Sequence, residues 1–151
     1  MAEFQPADPG FAERVRNSFA RQGLMAHLGA VMTTVEPGVV EIEMPFTDAL
    51  TQQHGFYHAG GLAAIVDTAG GFAAASLFAP DDGVLTVEFK LNLLSPADGD
   101  LLVARGEVIR PGRTLTVTKG EVFIRKNDQT KLCALMQQTL MRIVGKSGIV
   151  G

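Results

Sequence analysis

The sequence predicts an α+β domain in which an antiparallel sheet of about six strands wraps around one long central helix. Residues 59 to 79 contain no proline and a single charge, Asp67, among mostly Ala, Gly, Leu, Ile, Val and Phe, which indicates one buried helix. Two segments with strand-like alternation precede this run and four follow it. Short turns join these segments, and such turns favour antiparallel pairing.

A shorter helix is predicted before the first strand. Between residues 9 and 22 an apolar side chain recurs every four positions, at Phe11, Val15 and Phe19, which is the spacing of an amphipathic helix. Residues 24 to 28 add another turn. We expect this helix to cover one edge of the domain.

The six predicted strands lie at residues 30–35, 39–46, 84–94, 101–110, 114–126 and 131–143. In the third strand the alternation predicts a polar face that includes Thr86 and an apolar face formed by Leu85, Val87, Phe89, Leu91 and Leu93. In the fifth strand the alternation slips near Lys119-Gly120, which predicts a β-bulge. We assign residues 1–151 to a single domain and expect residues 1–8 and 145–151 to be flexible.

Charge and composition exclude several classes of function. The formal net charge of −3 and the pI near 5.5 argue against nucleic acid as a partner, because no basic field is available to displace counterions. Asp67 and two Gly-Gly pairs argue against a membrane span at residues 59–79. The single Cys133 allows neither a disulfide framework nor zinc-type spacing. No secretion signal is recognisable, so we expect a cytoplasmic protein.

Asp67 stands on a face of the central helix that carries small residues. Its neighbours three, four and seven positions away are Gly60, Ala63, Ala64, Gly70, Gly71 and Ala74. The bulky Leu62, Ile65 and Phe72 fall on the opposite face, which we expect to pack into the sheet. A second subunit that covers the small-residue face would explain its smoothness, so we expect a homodimer.

The segment before this helix concentrates groups suited to chemistry on a substrate. Its polar and aromatic side chains are Gln52, Gln53, His54, Tyr57 and His58, and the helix then begins with the exposed N–H groups of Ala59, Gly60 and Gly61. Such N–H groups favour negative charge. Asp67 lies about two turns too late to cap the helix, and a buried carboxylate needs hydrogen-bond partners. His58 could equally make only a structural hydrogen bond, and for His54 that interpretation is favoured.

These residues resemble the motif of PaaI-like acyl-CoA thioesterases of the hotdog fold. In that family an amide residue is followed six positions later by His-Gly-Gly, and an Asp stands seven residues past the second Gly. Here the pattern reads Gln52, His58-Ala59-Gly60 and Asp67, and Ser95-Pro96-Ala97 continues the resemblance. Gln52 stands where Asn is common, and Ala59 replaces the first Gly. Gln52 keeps the amide chemistry, and Ala59 keeps its backbone N–H.

The resemblance implies hydrolysis of acyl-CoA by a homodimer, or by a tetramer, with the active site at the subunit interface. Asp67 would be the general base or the nucleophile, and the N–H groups of Ala59 and Gly60 would form the oxyanion hole. Gln52 would orient the water or the carbonyl, and His58 would fix the loop and polarise the substrate. Thr86 would act across the dimer. The candidate substrate-binding residues are Gly61, Tyr57 and Arg113, the last for the phosphates of coenzyme A, although an exposed arginine in a turn is more often only solvated. No metal or redox cofactor is implied.

Two other functions stay open. A hotdog dehydratase or hydratase would also act on acyl thioesters, and a non-catalytic protein would only bind acyl-CoA. Asp67 with Gln52 upstream favours hydrolysis over the dehydratase. A non-catalytic protein would leave the buried Asp67 as an unexplained cost.

Overall fold

The computed structural model describes residues 4–151, in which a six-stranded antiparallel sheet curls around a central helix. The helices are α1 (Phe11–Ala20), α2 (Gly23–His27) and α3 (Ala59–Ala75), with a single 3-10 turn at Asp48–Leu50. The strands are β1 (Val31–Glu36), β2 (Val39–Pro45), β3 (Gly83–Leu93), β4 (Leu101–Arg110), β5 (Leu115–Lys126) and β6 (Gln129–Ile143). Their order in the sheet is β1-β2-β4-β5-β6-β3. The predicted architecture is confirmed.

The central helix ends four residues earlier than the sequence predicts, at Ala75 instead of Ala79. The Ser76 hydroxyl donates to the carbonyl of Ala73 at 2.6 Å and accepts the N–H of Gly38 at 2.8 Å, so it ties the last turn to the start of β2. Arg14 of α1 donates from Nη2 to the carbonyls of Ala75 and Phe78. Because these partners satisfy carbonyls at the helix end, the apolar run stops being helical without a proline or glycine.

Two facing glycines let α3 pack directly onto the sheet. Gly106 of β4 pairs with Gly120 of β5. A Cβ on Gly106 would lie 2.4 Å from the backbone nitrogen of Gly70, and a Cβ on Gly120 would lie 2.4 Å from Val66 Cγ2. The bulge predicted at Lys119-Gly120 is wrong, because both residues pair in continuous register with β4 and with β6. Gly120 instead serves the close approach of the helix. The register of β5 shifts instead between Val122 and Phe123.

The buried face of α3 agrees only in part with the predicted one. Leu62 and Ile65 are buried as expected, at 2% and 0% exposed. The sheet side carries Val66 and the backbone around Ala69 and Gly70, as the contacts of Gly106 and Gly120 show. Phe72, which we expected to pack into the sheet, instead packs edge-to-face on Phe19 of α1, with ring centroids 6.2 Å apart. Helical periodicity alone did not distinguish the side that faces the sheet from the side that α1 covers.

A register shift divides β3 into two halves with opposite side-chain orientation. Thr86 pairs with Leu140, but Glu88 pairs with Thr139, so Val87 is an extra residue in the ladder. Phe89 pairs with Gln138 and therefore points to the same side as Thr86. The single apolar face predicted from Leu85 to Leu93 is wrong, because the bulge reverses the alternation at Val87.

The segment before α3 is anchored to the sheet by Tyr57. This side chain is 3% exposed, and its hydroxyl donates to the carbonyl of Met44 at the end of β2, at 2.9 Å. The N–H of Tyr57 donates to the carbonyl of Ala97 at 3.1 Å. Burial raises the pKa of the Tyr57 hydroxyl, because water could not solvate the negatively charged phenolate at this position.

Both terminal segments contact the domain. The ring of Phe4 packs over Gly38, and the N–H of Ala7 donates to the carbonyl of Leu77 at 3.3 Å. Ile149 lies against Gly83, and the N–H of Gly151 donates to the carbonyl of Asp82 at 3.2 Å. Residues 1–3 lie outside the described residues, and flexibility of the two ends stays a prediction.

The helix–sheet contact predicts that Gly106→Ala destabilises the domain by about 3 kcal/mol, because the new Cβ meets backbone atoms of α3 that cannot move alone. Urea unfolding followed by circular dichroism measures this change. Gly23→Ala is the control, since nothing lies within 4 Å of the position that its Cβ would take, and it should change the free energy of unfolding by less than about 0.5 kcal/mol. Equal effects of the two substitutions would contradict this account.

The Tyr57 anchor predicts that Tyr57→Phe lowers the free energy of unfolding by about 1 kcal/mol at pH 7, because the carbonyl of Met44 loses its donor. Above pH of about 10 the phenol ionises in the unfolded chain but not in the folded one, so the wild type loses stability as the pH rises. Urea unfolding at about pH 8 and about pH 10.5 should therefore show a smaller decline for the variant than for the wild type. A parallel decline in both proteins would contradict the buried, neutral phenol.

Candidate active site

Asp67, near the middle of α3, is half-buried, and donors hold one of its two carboxylate oxygens. The Thr86 hydroxyl donates to Oδ1 at 2.8 Å, and the Gln138 amide donates from Nε2 to the same oxygen. The same Nε2 also lies 3.1 Å from the backbone oxygen of Asp67. No hydrogen bond among residues 4–151 uses Oδ2. The carboxylate is thus fixed through one oxygen, and the other can accept a proton or attack a carbon.

Thr86 reaches Asp67 from the last regular pair before the bulge in β3. Its pairing with Leu140, which is fully buried, places it on the helix side of the sheet. The sequence assigned Thr86 to a wet face and, through the resemblance, to a role across the dimer. The first assignment is confirmed, since Thr86 is exposed, and within one chain its hydrogen-bond partner is the carboxylate of Asp67.

Sequence reasoning missed two buried polar residues behind this carboxylate. Gln138 of β6 is 2% exposed, and Thr118 of β5 is 0% exposed. Thr118 Oγ1 donates to Gln138 Oε1 at 2.9 Å. The available signal was a Gln between Met136 and Leu140, at a position whose alternate neighbours are apolar and buried. A polar side chain at such a position needs an internal partner.

His58 caps α3 and accepts a hydrogen bond from the N–H of Gly60, which was one of the expected oxyanion donors. Its Nδ1 accepts the N–H of Gly60 at 2.8 Å, and its backbone oxygen accepts the N–H of Gly61 at 2.9 Å. Neither N–H is available to a substrate in this conformation, which corrects the oxyanion role expected for Gly60. None of the hydrogen bonds of the described chain uses the N–H of Ala59. Since Nδ1 accepts, a neutral His58 ring carries its proton on Nε2.

A cavity of about 500 Å³ opens beside this helix end. It is lined by Gln52, Phe56, Tyr57, Ala59, Leu62, Leu93, Leu94, Ser95, Pro96 and Ala97. The Oε1 atom of Gln52 accepts the N–H of His54, which orients the amide. The structure therefore brings Gln52 and Ala59 to one cavity, as the motif implies.

Asp67 lies in a second, smaller cavity of about 100 Å³, lined by Gln22, Thr68, Gly71, Phe72, Val84 and Thr86 as well. Asp67 follows Ala59 by eight residues on one helix, which is about 12 Å along the axis. A carboxylate and an N–H so far apart cannot both reach one carbonyl group. Within one chain, the carboxylate of Asp67 and the N–H of Ala59 therefore lie in two separate cavities.

The remaining predicted residues lie elsewhere. The Tyr57 hydroxyl is used by Met44, so only the ring of Tyr57 remains to line the larger cavity. Gly61 packs near Met44, whose methyl carbon would lie 3.3 Å from an added Cβ. Arg113 is exposed in the β4–β5 turn, away from both cavities. His54 is exposed and its Nε2 lies 3.4 Å from the amide of Gln53.

Two further kinds of site have no counterpart in residues 4–151. None of the helices there has the length and apolar character needed to cross a membrane. In the same residues, no three or more His, Cys, Asp or Glu side chains cluster in a way that could hold a metal ion.

Comparison with known proteins identifies the family. Residues 54–131 match the family model of the thioesterase superfamily. The crystal structure of a thioesterase family protein from Silicibacter pomeroyi is 49% identical, covers 90% of this chain and 100% of its own, and superposes with a TM-score of 0.89. The 1,4-dihydroxy-2-naphthoyl-CoA hydrolase of Listeria monocytogenes is 27% identical over 111 residues, which are 74% of this chain and 89% of that enzyme.

The PaaI protein of the E. coli phenylacetic acid degradation operon shares the fold. It is 23% identical, covers 90% of this chain and 95% of its own, and has a TM-score of 0.80. The six-stranded sheet around α3 is therefore the hotdog architecture that the motif implied. Together, the matched family model and the shared architecture show that this chain belongs to the hotdog-fold thioesterase superfamily, whose general activity is the hydrolysis of thioesters.

Proposed function

We propose that this protein hydrolyses acyl-CoA thioesters to the free acid and coenzyme A. The observation that carries the proposal is the Asp67 carboxylate, which is held through Oδ1 by Thr86 and Gln138 and faces a cavity with Oδ2 unused. A carboxylate fixed in this way is suited to general-base or nucleophilic catalysis. The name of the Listeria relative, a CoA-thioester hydrolase, supports coenzyme A as the thiol.

The chemistry requires one base, one water and one oxyanion site. Asp67 Oδ2 takes a proton from water, whose oxygen attacks the thioester carbon, and the carbonyl oxygen becomes negative. The N–H of Ala59 and the positive end of α3 stabilise that oxygen. The carbon–sulfur bond then breaks, and the proton passes to the thiolate of coenzyme A. Alternatively, Oδ2 attacks the carbon directly, the carbon–sulfur bond breaks and the thiolate of coenzyme A leaves. Water then hydrolyses the resulting anhydride to the free acid and the Asp67 carboxylate, and its remaining proton passes to the thiolate.

The site is complete only when two subunits meet. Ala59 and Asp67 are about 12 Å apart along one helix, so a single chain cannot present both to one carbonyl. If two α3 helices cross antiparallel at Ala63, midway between these residues, Ala59 of one protomer faces Asp67 of the other. Ala63 and Ala64 are half-buried and small, and Gly60 is exposed, so the helix backbones can approach closely.

The open edge of the sheet supports the same dimer. β3 pairs only with β6 among the described strands, so its other edge has unpaired backbone groups. Its exposed apolar side chains are Leu85 at 49%, Val87 at 56%, Phe89 at 46% and Leu93 at 54%. A long apolar edge strand of this kind requires a covering partner. A second copy that pairs along β3 would join the two sheets and bring the two α3 helices together.

The larger cavity and Arg113 are our candidates for binding the acyl chain and coenzyme A. Phe56, Leu93 and Leu94 make one wall of the larger cavity apolar, which suits an acyl chain or the pantetheine arm. Arg113 is exposed and stays our candidate for the phosphates. The buried, unpaired thiol of Cys133 fits a reducing compartment, and we propose that the reaction takes place in the cytoplasm.

Asp67→Asn should fold as the wild type does yet lose at least about a hundredfold in kcat, because the amide cannot accept the proton of water. The measurement is thiol release from short, medium, long and aryl acyl-CoA substrates. Asp81→Asn is the matched control, since it removes an exposed carboxylate in a turn and should leave kcat unchanged. If Asp67→Asn hydrolyses acyl-CoA at the wild-type rate, the assignment of the chemistry fails. If the wild type binds acyl-CoA but releases no thiol, a dehydratase or a binding protein replaces the hydrolase.

Ala59→Pro should lower kcat by about a hundredfold or more, because it deletes one backbone donor to the oxyanion. Proline suits this position, which is the first residue of α3 and follows His58 in an extended conformation. When Ala59→Pro and Asp67→Asn subunits are refolded together, mixed dimers should contain one intact site, and about a quarter of the wild-type activity should return.

The same experiment distinguishes a shared site from a site within one chain. If Ala59 and Asp67 act within one subunit, every site in a mixed dimer lacks one group, and the mixture stays inactive. Ala59→Ser keeps the N–H and controls for side-chain effects, so its kcat should stay close to that of the wild type. Size-exclusion chromatography of each variant checks that the dimer forms.

A further inference from the structure

We propose that Gln138 and Thr118 are positioning residues for Asp67 and that they make Oδ2 the carboxylate oxygen that acts on the thioester. This inference rests on the proposed function and extends it to two residues outside the motif. Neither residue touches the two cavities, so both act through Asp67. The chain of contacts runs from Thr118 to Gln138 and then to Asp67 and Thr86.

The orientation of the Gln138 amide follows from its partners. A carboxylate only accepts hydrogen bonds, so the amide nitrogen must face Asp67. The amide oxygen then faces Thr118, whose hydroxyl donates to it at 2.9 Å. Turned the other way, the amide would present its oxygen to the carboxylate and bury two acceptors against each other. The carboxylate therefore selects the orientation of the amide, and the Thr118 hydroxyl holds it there by donating to the amide oxygen.

Gly70 makes room for this arrangement. A Cβ at this position would lie 2.0 Å from Gln138 Oε1 and 2.9 Å from Thr118 Oγ1. Because Gly70 has no Cβ, Gln138 can approach α3 closely. Its Nε2 lies 3.1 Å from the backbone oxygen of Asp67 and also donates to the carboxylate of Asp67. Gln138 thus holds both the main chain and the side chain of the same residue. With Thr86 as the second donor, Oδ1 is occupied, and the carboxylate is held so that Oδ2 faces the substrate.

Strand β5 offers a matched control for Thr118. Thr116 lies two residues earlier on the same face of the strand and is also 0% exposed. Its Oγ1 has no hydrogen-bond partner among the described residues, so it takes no part in the chain of contacts. Thr→Val is nearly isosteric and removes one buried hydroxyl in either case. The two substitutions therefore differ in whether the lost hydroxyl orients Gln138.

The first experiment compares Thr118→Val, Thr118→Ser and Thr116→Val in steady-state hydrolysis of an acyl-CoA substrate. Thr118→Val should lower kcat by roughly tenfold to a hundredfold, because the carboxylate loses its fixed orientation, while KM stays within about twofold. Thr118→Ser restores the donor and should restore kcat. Thr116→Val should match the wild type. Wild-type kcat in Thr118→Val, or an equal loss in Thr116→Val, would overturn the inference.

A second experiment tests whether Thr118 acts only through Gln138. Gln138→Met keeps the length of the side chain and removes its donor, so kcat should fall at least as far as in Thr118→Val. The double variant should then be no slower than Gln138→Met alone, because the hydroxyl has nothing left to orient. Losses that multiply in the double variant would overturn the proposed chain of contacts.

The outcomes separate this inference from the proposed function. If Asp67→Asn is inactive but Gln138→Met and Thr118→Val keep the wild-type kcat, the hydrolase assignment stands and the positioning role is wrong. If Asp67→Asn remains active, the proposed chemistry itself fails. Thermal unfolding of each variant shows whether it is folded, and the Thr118→Ser rescue distinguishes lost orientation from lost stability.

Discussion

The close contact between α3 and strands β4 and β5 is the constraint on which the rest of the structure depends. Gly106 and Gly120 face each other in the sheet, and the backbone of α3 at Ala69 and Gly70 lies directly on Gly106. A helix held this close brings its polar residue within reach of strand side chains. Thr86 and Gln138 can therefore bind the Asp67 carboxylate without long, flexible linkers. Packing and site geometry have the same origin in these glycines.

Helix α3 contributes groups to both cavities, at two positions along its length. Its first residue presents an N–H to one cavity, and its middle presents a carboxylate to another. His58 satisfies the second N–H of the helix, so the local field at the start of α3 is shaped by its own cap. The functional groups are rigid because each belongs to a regular element or to its cap. The distance between them is set by helix geometry rather than by loops.

The architecture could be predicted from the sequence because periodicity and turn residues report local structure directly. The apolar run predicted α3, and the alternating segments predicted the strands. Because short turns connect these segments, an antiparallel sheet around the helix follows. The motif likewise led to Gln52, Ala59 and Asp67. What escaped prediction depends on contacts across the fold. The end of α3 at Ala75 is set by Ser76 and Arg14, and the reversal of the β3 faces after Thr86 is set by a bulge that one strand cannot reveal. The role of Gln138 depends on its contact with Asp67, which lies 71 residues away in the chain and could not be inferred from the sequence around Gln138.

The bulge at Thr86–Glu88 has a consequence for the newly made chain. In the isolated chain, β3 presents an open, apolar edge on which strands from unrelated unfolded proteins could pair. A flat edge would accept any such strand, but the extra residue at Val87 interrupts the ladder and increases the local twist. A regular strand could therefore pair with only part of this edge. The bulge beside Thr86 thus lowers the tendency of this exposed edge to recruit other strands.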